Sequence, residues 1–151
     1  ELIVLSYSRG IVIRTSWVYS RYSHNFLAAI PLLLRTRSEP LQVDTLQVNS
    51  PTYAPDLVNA LFTLAREGIS HGLFHFTNTG GGCTRYDFAC HLREMINRKD
   101  PGAALAQVLP MHAEVQGGAP RPVYSVMSPA KIAALTGITI PHWKEGIENI
   151  I

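Results

Sequence analysis

The side chains best suited to chemistry in this chain are its two cysteines and its histidines. Cys83 and Cys90 lie seven residues apart and do not form a C-x-x-C pair. We therefore expect free thiols in a reducing cytoplasm, with neither a disulfide nor a metal role. His71 and His75 are four residues apart, but they fall on a predicted loop and strand. This spacing aligns two metal ligands on a helix and not on a strand, so we expect structural histidines and no metal site.

The motifs of the common hydrolases and phosphate-binding enzymes are absent from the sequence. There is no H-E-x-x-H, no G-x-S-x-G and no G-K-S/T. Short-chain dehydrogenases use a tyrosine and a lysine four residues apart, because the ammonium group lowers the pKa of the phenol for proton transfer. None of the six tyrosines has a lysine at that distance. The chain by itself therefore offers no catalytic base.

Three consecutive glycines, Gly80 to Gly82, lie between a predicted strand and a predicted helix. Such a loop can cradle a pyrophosphate, but the dinucleotide fingerprint G-x-G-x-x-G needs a third glycine where this chain has Arg85. No acidic residue in a ribose-binding context follows about 20 residues later. We therefore interpret the loop as a connection and predict no cofactor site in this chain.

Strands alternate with helices along the chain, and this order predicts an α/β fold. Strands are expected where β-branched and aromatic residues cluster, and helices where apolar residues recur at helical spacing with capping residues before them. A turn is predicted at 49–52, and most of 99–119 is predicted to be loop. The predicted strands are 11–19, 41–44 and 73–77, with an extended segment at 122–127. The predicted helices run from Asn25 to about Arg35, from Pro55 to Gly68, from Thr84 to about Asn97, from Ser128 to Gly137, and onward from Pro141.

Composition excludes several classes of protein. Hydrophobic residues make up 46% of the 151 residues, charged residues 16%, and the net charge is +2, which are values of a globular domain. No run of Lys and Arg suggests a nucleic-acid partner, and no stretch approaches the ~20 apolar residues of a membrane span. The start lacks an initiator Met and a signal peptide, so we expect a piece cut from a larger protein. No linker composition marks a boundary, and residues 1–151 are treated as one part.

Several sequence blocks, in order along nearly the whole chain, resemble one enzyme family. The most specific is RTSWVY at 14–19. Together the blocks closely resemble dTDP-4-dehydrorhamnose reductase, a family of the extended short-chain dehydrogenase/reductase group. The other blocks are HNF at 24–26, SPTYAPDL at 50–57, GLFHFT at 72–77, YDFA at 86–89, RPVYSV at 121–126 and PHWKEG at 141–146.

The resemblance implies the C-terminal portion of a Rossmann-like fold, including the smaller substrate-binding domain. In that family an N-terminal cofactor domain with G-x-x-G-x-x-G and Y-x-x-x-K precedes RTSWVY, and Glu1 resembles a glutamate shortly after the lysine. The family implies a cytoplasmic enzyme that uses NADPH or NADH to reduce dTDP-4-dehydro-L-rhamnose to dTDP-L-rhamnose. This chain would then recognise the dTDP-sugar, while the catalytic Tyr and Lys and the cofactor lie in the missing N-terminal part.

Five residues are substrate-binding candidates by resemblance. Trp17 matches a tryptophan that contacts the sugar, where its ring would pack on C–H groups; the alternative is plain core at a strand end. Arg121 matches an arginine that meets the pyrophosphate, which suits a guanidinium; the alternative is a surface arginine. Asn25, Gln47 and Thr52 would hydrogen-bond sugar or thymine, or else serve as turn and cap residues.

The chain also departs from the family, and other functions stay open. Many members read Asp-Gln-x-Gly-x-Pro-Thr where this chain has Leu46 and Asn49 in place of the Asp and Gly. A homodimer is left open, and metal ligands of some dimeric members are not matched. One alternative is another sugar-nucleotide epimerase or dehydratase, although relatives of those types usually carry Asn where this chain has Trp17. The other is a non-catalytic regulatory subunit resembling the β subunit of methionine adenosyltransferase.

Overall fold

The computed structural model describes residues 1–22, 25–112 and 122–150. It confirms the α/β class: all four strand pairs of the described residues are parallel. The helices are α1 Leu2–Leu5, α2 Phe26–Thr36, α3 Ala54–Arg66, α4 Arg85–Lys99, α5 Ala130–Thr136 and α6 Trp143–Glu148. The strands are β1 Ile11–Arg14, β2 Val18–Tyr19, β3 Leu41–Asp44, β4 Val48–Asn49, β5 Thr52–Tyr53, β6 Gly72–His75, β7 Val108–Met111 and β8 Tyr124–Ser125.

The strand pairs are β1 with β6, β2 with β5, β3 with β7, and β4 with β8. The strand predicted over residues 11–19 is interrupted, because Trp17 adopts a φ of 38° between β1 and β2. A residue in the left-handed region cannot continue a pleated strand, so the chain changes direction there. The break sends β1 to β6 and β2 to β5.

Helices with local capping signals form where the sequence predicts them. Thr84 and Asp87 make a reciprocal capping box at the start of α4, and the side chain of Asn25 accepts a hydrogen bond from the Ala28 N–H at the start of α2. Gly137 ends α5 in the left-handed conformation, which glycine adopts without steric cost. Local chemistry therefore determines these boundaries.

The strands that were not predicted from the sequence depend on pairing with strands that are distant along the chain. The turn predicted at 49–52 contains parts of two short strands, β4 and β5. The loop predicted over 99–119 contains β7, which pairs with β3 from Val108 opposite Leu41; residues 113–119 lie outside the described part. The helix expected to begin with Pro129 begins at Ala130, with Pro129 as its cap residue.

Two apolar clusters form the core. The first joins α2, α4 and α6 around Phe88, Leu92 and Ile147, and the second joins α3, β6 and α5 around Leu64 and Phe74. The first cluster lies directly beneath Trp17, which packs against it. The ring of Trp17 is therefore supported by Phe26 of α2 and Phe88 of α4.

Asn78, just after β6, ties three segments together. Its side-chain oxygen accepts a hydrogen bond from the Tyr53 N–H at 2.7 Å, and its amide donates to Asp56 Oδ2 at 2.6 Å and to the Pro141 carbonyl at 3.2 Å. Asn78 is 2% exposed. One buried side chain thus joins β5, the first turn of α3 and the segment that leads into α6.

None of the helices in the described ranges combines the length and the apolar content that a membrane crossing requires.

Candidate functional site

A small cleft of about 180 Å³ lies at the break between β1 and β2. We call it the tryptophan cleft, and it is lined by Trp17, Gln47, Asn49, Arg85 and Pro122. Two of the five candidate residues, Trp17 and Gln47, are therefore brought together by the fold, although 30 positions separate them in the sequence. Apolar and polar side chains meet in this cleft, as is usual for small-molecule sites.

Trp17 forms the aromatic wall of the tryptophan cleft. Its ring centroid lies 5.7 Å from that of Phe26, edge-on, and 4.8 Å from that of Phe88. The residue stays partly exposed. Trp17 thus packs on the core and also lines the cleft, while its contact with a sugar stays a prediction. An indole supported in this way is a rigid surface for an apolar ligand face.

Asn49 fixes the floor of the cleft against the start of α4. Its backbone exchanges two hydrogen bonds with Cys83, at 3.0 and 2.8 Å, and its side-chain oxygen accepts a hydrogen bond from the Ser125 hydroxyl at 2.7 Å. These bonds connect β4, β8 and the loop before α4. The Asn49 side chain thus connects β4 to β8 beside the cleft.

Arg85 is a lining residue that the sequence reasoning did not identify as a binding residue. It is the first residue of α4, and its guanidinium lies 4.0 Å from the Asp44 carboxylate. Both the side-chain charge and the positive end of the helix favour an anion at this wall. A basic residue next to a helix cap was the available signal, but it was used only to argue against a dinucleotide fingerprint.

The other candidate residues are not among those that line the cleft. Asn25 caps α2 and donates its amide to the Ser20 carbonyl at 2.7 Å, which is the capping role that the sequence left open. Thr52 is 0% exposed, and its hydroxyl donates to the Ser16 carbonyl at 2.6 Å. It therefore lies behind Trp17 and holds the turn. Arg121 lies outside the described residues.

The glycine loop before α4 is shaped by the packing of the chain on itself. A side chain at Gly80 would collide with the imidazole of His142, and one at Gly82 would meet Val126 and Val48, each at 2.5 Å. The Cβ directions of Gly80 and Gly82 therefore point at protein side chains. These contacts shape the loop, and its interpretation as a connection stays a prediction.

A larger cleft of about 350 Å³ lies between α4 and α6, and it does not contain Trp17. Its charges are mixed, with Asp87 and Glu94 against Lys144. The Nε2 atom of His91 is buried without a hydrogen-bond partner among the described residues, and burial, followed by Lys144, lowers the pKa of this histidine. The larger cleft is lined by Gly80, Gly82, Cys83, Asp87, Cys90, His91, Glu94, His142, Trp143 and Lys144.

The larger cleft offers a sugar no accessible tryptophan ring, and its described residues form no metal-binding group. Its tryptophan, Trp143, is 4% exposed and stacks on Phe88 at 5.5 Å between centroids, so its ring is not available to a ligand. Within residues 1–22, 25–112 and 122–150, no three His, Cys, Asp or Glu side chains are grouped to hold a metal ion. The smaller cleft, with its accessible indole, is therefore the better candidate site.

Both cysteines are free thiols, as the sequence predicts. Burial raises the pKa of the Cys83 thiol to about 12. Burial also raises the pKa of Cys90, although this residue is only partly buried. Neither thiol is therefore activated as a nucleophile, since the thiolate is the reactive form.

Similarity to known proteins agrees with this geometry. The spore coat polysaccharide biosynthesis protein SpsK of Bacillus subtilis (strain 168) is 35% identical, over 100% of this chain and 50% of that protein. A dTDP-4-dehydrorhamnose reductase of Aggregatibacter actinomycetemcomitans is 30% identical, over 99% of this chain and 53% of that protein. The chain thus spans about half the length of these relatives.

A solved structure shares both the fold and part of the sequence. The dTDP-4-dehydrorhamnose reductase of Bacillus anthracis str. Ames, solved in complex with NADP, superposes with a TM-score of 0.78 at 32% identity, covering 95% of this chain and 48% of that one. The family model described as the RmlD substrate binding domain matches residues 1–151. With the fold, the cleft and the motifs in agreement, the chain belongs to the RmlD substrate binding domain family.

Proposed function

We propose that this chain is the nucleotide-sugar-recognising part of a cytoplasmic NAD(P)H-dependent reductase, which converts dTDP-4-dehydro-L-rhamnose to dTDP-L-rhamnose. The observation that carries the proposal is the partly exposed Trp17 that lines the tryptophan cleft together with Arg85. The names of the relatives support the choice of reaction. Residues 1–151 as a whole form this substrate-binding part.

Each lining residue has a chemically suited role in the proposal. The indole of Trp17 packs on the C–H face of the deoxyhexose. The amide of Gln47 can both donate and accept hydrogen bonds, so it suits hydroxyl groups of the sugar or the carbonyls of thymine. Arg85 attracts the diphosphate, and Arg121 takes the same role as in the family. Asn25 and Thr52 support the site from behind, through the backbone contacts described above.

The reaction itself needs groups that the described residues do not supply. NADPH or NADH would supply the hydride when bound, but the chain has neither a G-x-G-x-x-G fingerprint nor a Tyr-x-x-x-Lys pair. We therefore assign the cofactor and the proton-transferring pair to a further part of the protein. The described residues support this assignment: β1 pairs with β6 alone in its sheet, and Leu2 and Ile3 of α1 are 86% and 77% exposed.

The full-length protein provides the decisive assay. We expect it to form dTDP-L-rhamnose from dTDP-4-dehydro-L-rhamnose, with one NADPH or NADH consumed per product, as followed by chromatography and absorbance. The 151-residue chain by itself should show no turnover. Turnover by this chain alone would refute the assignment of the cofactor and the proton-transferring pair to a further part of the protein. The lack of a Tyr-x-x-x-Lys pair encoded shortly before Glu1 would refute the reductase assignment.

A matched pair of variants tests the role of the cleft. Trp17→Ala should weaken binding of dTDP-L-rhamnose by about tenfold or more, which is the effect of losing roughly 1.4 kcal/mol of aromatic contact. Tyr22→Ala removes an exposed aromatic side chain that does not line the cleft and should leave binding unchanged. A full-length protein that binds the nucleotide sugar but never turns it over would favour the regulatory-subunit alternative.

A further inference from the structure

Trp17 carries an unusual backbone conformation for its residue type. Among the described residues it is the only non-glycine with a positive φ, 38°. The left-handed region is disfavoured for residues with a Cβ atom, and least so for Asn and Asp, whose short side chains hydrogen-bond locally. A tryptophan keeps this conformation only where the surrounding structure holds it. The question is therefore which contacts hold Trp17.

Thr52 contacts the peptide groups on both sides of Trp17. Its hydroxyl donates to the Ser16 carbonyl at 2.6 Å, and its backbone N–H donates to the Trp17 carbonyl at 3.1 Å. The first bond orients the peptide plane before Trp17 and the second orients the plane after it. Because φ and ψ are the rotations between these two planes, one residue determines both angles.

The Thr52 hydroxyl is itself fixed. It is 0% exposed, and it accepts a hydrogen bond from the Thr15 hydroxyl at 3.1 Å. Its own proton is thereby directed to the Ser16 carbonyl. Parallel pairing of Val18 with Thr52 adds a backbone constraint immediately beyond the turn. The hydroxyl and the backbone N–H of Thr52 thus make their hydrogen bonds within the turn, and the side chain is closed to solvent.

The direction of the indole follows from this turn. Relaxation of Trp17 to an ordinary φ near −60° would rotate the chain by roughly 100° about its N–Cα bond. The Cα–Cβ bond would then point elsewhere, and the ring would lose its place between Phe88 and the cleft. The conformation of the backbone and the exposure of the ring in the cleft are therefore coupled.

We infer that Thr52 is a positioning residue, whose buried hydroxyl holds Trp17 in the left-handed conformation that presents its indole to the tryptophan cleft. The conformational part of this inference stands on the contacts of Thr52 alone. Its consequence for ligand binding rests on the proposed function.

The test uses three variants of the full-length protein. Thr52→Val removes the hydroxyl with little change of shape, and Thr52→Ser keeps the hydroxyl. Thr63→Val is the matched control, because Thr63 is also buried and its hydroxyl donates to the Asn59 carbonyl within α3, away from Trp17. Two properties are measured: the NMR signal of the Trp17 indole N–H, assigned with Trp17→Phe, and the Kd for dTDP-L-rhamnose.

We expect Thr52→Val to shift the indole signal and to raise the Kd by about tenfold, which corresponds to the net loss of one buried hydrogen bond. In Thr52→Ser the indole signal should stay at its wild-type position and the Kd should lie within about threefold of the wild-type value. Thr63→Val should change neither property. An unchanged indole signal in Thr52→Val would overturn the inference. A shifted signal with unchanged Kd in both Thr52→Val and Trp17→Ala would uphold the positioning role and contradict the proposed function.

Folding of the variants provides an independent check. If Thr52→Val does not fold, the same substitution in a Trp17→Gly background should fold, because glycine adopts a positive φ without the penalty that Thr52 offsets. Failure of this double variant to fold, while Trp17→Gly alone folds, would overturn the inference. Cooperative unfolding of the double variant in urea would support it.

Discussion

Replacing Asn78 by aspartate should be among the most destabilising isosteric changes in the chain. The new carboxylate could still accept the hydrogen bond from the Tyr53 N–H. It would lose both N–H donations, to Asp56 Oδ2 at 2.6 Å and to the Pro141 carbonyl at 3.2 Å. The buried contact between residue 78 and Asp56, which is now a hydrogen bond, would become a repulsion between two carboxylates.

The expected cost follows from these contacts. Each lost hydrogen bond removes about 1 kcal/mol, and two like charges about 4 Å apart repel by about 4 kcal/mol at an effective dielectric constant of about 20. Because the carboxylates of Asp56 and of the new aspartate can bind a proton, the total loss in the free energy of unfolding is limited. We therefore expect Asn78→Asp to lower the free energy of unfolding by about 3–5 kcal/mol near pH 7, as for other broken buried polar pairs.

The cost should also depend on pH. Burial already raises the pKa of Asp56, and a second carboxylate beside it would raise both values further. A carboxyl group whose pKa is higher in the folded than in the unfolded state stabilises the fold only while it is protonated. The deficit of Asn78→Asp should therefore be largest near pH 7 and shrink as the pH falls toward about 4.

Urea unfolding, followed by circular dichroism at several pH values, provides the assay. Asn59→Asp is the control, since Asn59 is exposed on α3, and this variant should change the free energy of unfolding by less than about 0.5 kcal/mol. A loss below about 1 kcal/mol for Asn78→Asp, or a deficit that does not change with pH, would refute the account of the Asn78 contacts.

Three further predictions concern other buried groups. His91→Gln should reduce the loss of stability between about pH 7.5 and 5.5, because burial lowers the pKa of His91 below the 6.5 of the free group and its stabilising contribution is lost as the pH falls. Gly146→Ala should cost about 1–3 kcal/mol, since the added methyl group would lie 2.7 Å from Cγ of Tyr53. Ellman's reagent should label Cys90 slowly and Cys83 only after unfolding, because Cys83 is buried and has a pKa of about 12.

Controls for these experiments are available in the chain. His71→Gln replaces an exposed histidine that does not line the larger cleft, and it is the matched control for the substitution. Gly102→Ala adds a methyl group whose nearest neighbour is Asp100 at 4.0 Å, so it should be tolerated. Three results would each contradict the corresponding prediction. These are equal pH profiles of stability for His91→Gln and the wild type, equal stability of Gly146→Ala and Gly102→Ala, and prompt labelling of Cys83 in the native protein.

Features that depend on neighbouring residues could be predicted from the sequence. The capping box of Thr84 and Asp87 and the glycine at the end of α5 act within a few residues, so their sequence pattern is sufficient. The family was also recognisable, because RTSWVY and the blocks that follow it in the same order do not occur together by chance. This agreement covers the fold class and most helices.

Features that depend on residues distant in the sequence could not be predicted. Strand β7 forms because Val108–Met111 lies against β3, more than 60 positions earlier, and nothing within the segment indicates that partner. The positive φ of Trp17 depends on the hydroxyl of Thr52, and Arg85 reaches the cleft only because α4 begins there. For Thr52 the sequence left open a substrate contact or a turn role, and only the structure shows that its hydroxyl points to the Ser16 carbonyl.

A crystal structure of the full-length protein with dTDP-L-rhamnose would test the central claim most directly. The account predicts that the deoxyhexose packs on the indole of Trp17 with carbon–carbon distances of about 4 Å, and that the diphosphate lies on the side of Arg85. A ligand bound in the larger cleft between α4 and α6, or one that makes no contact with Trp17, would contradict it.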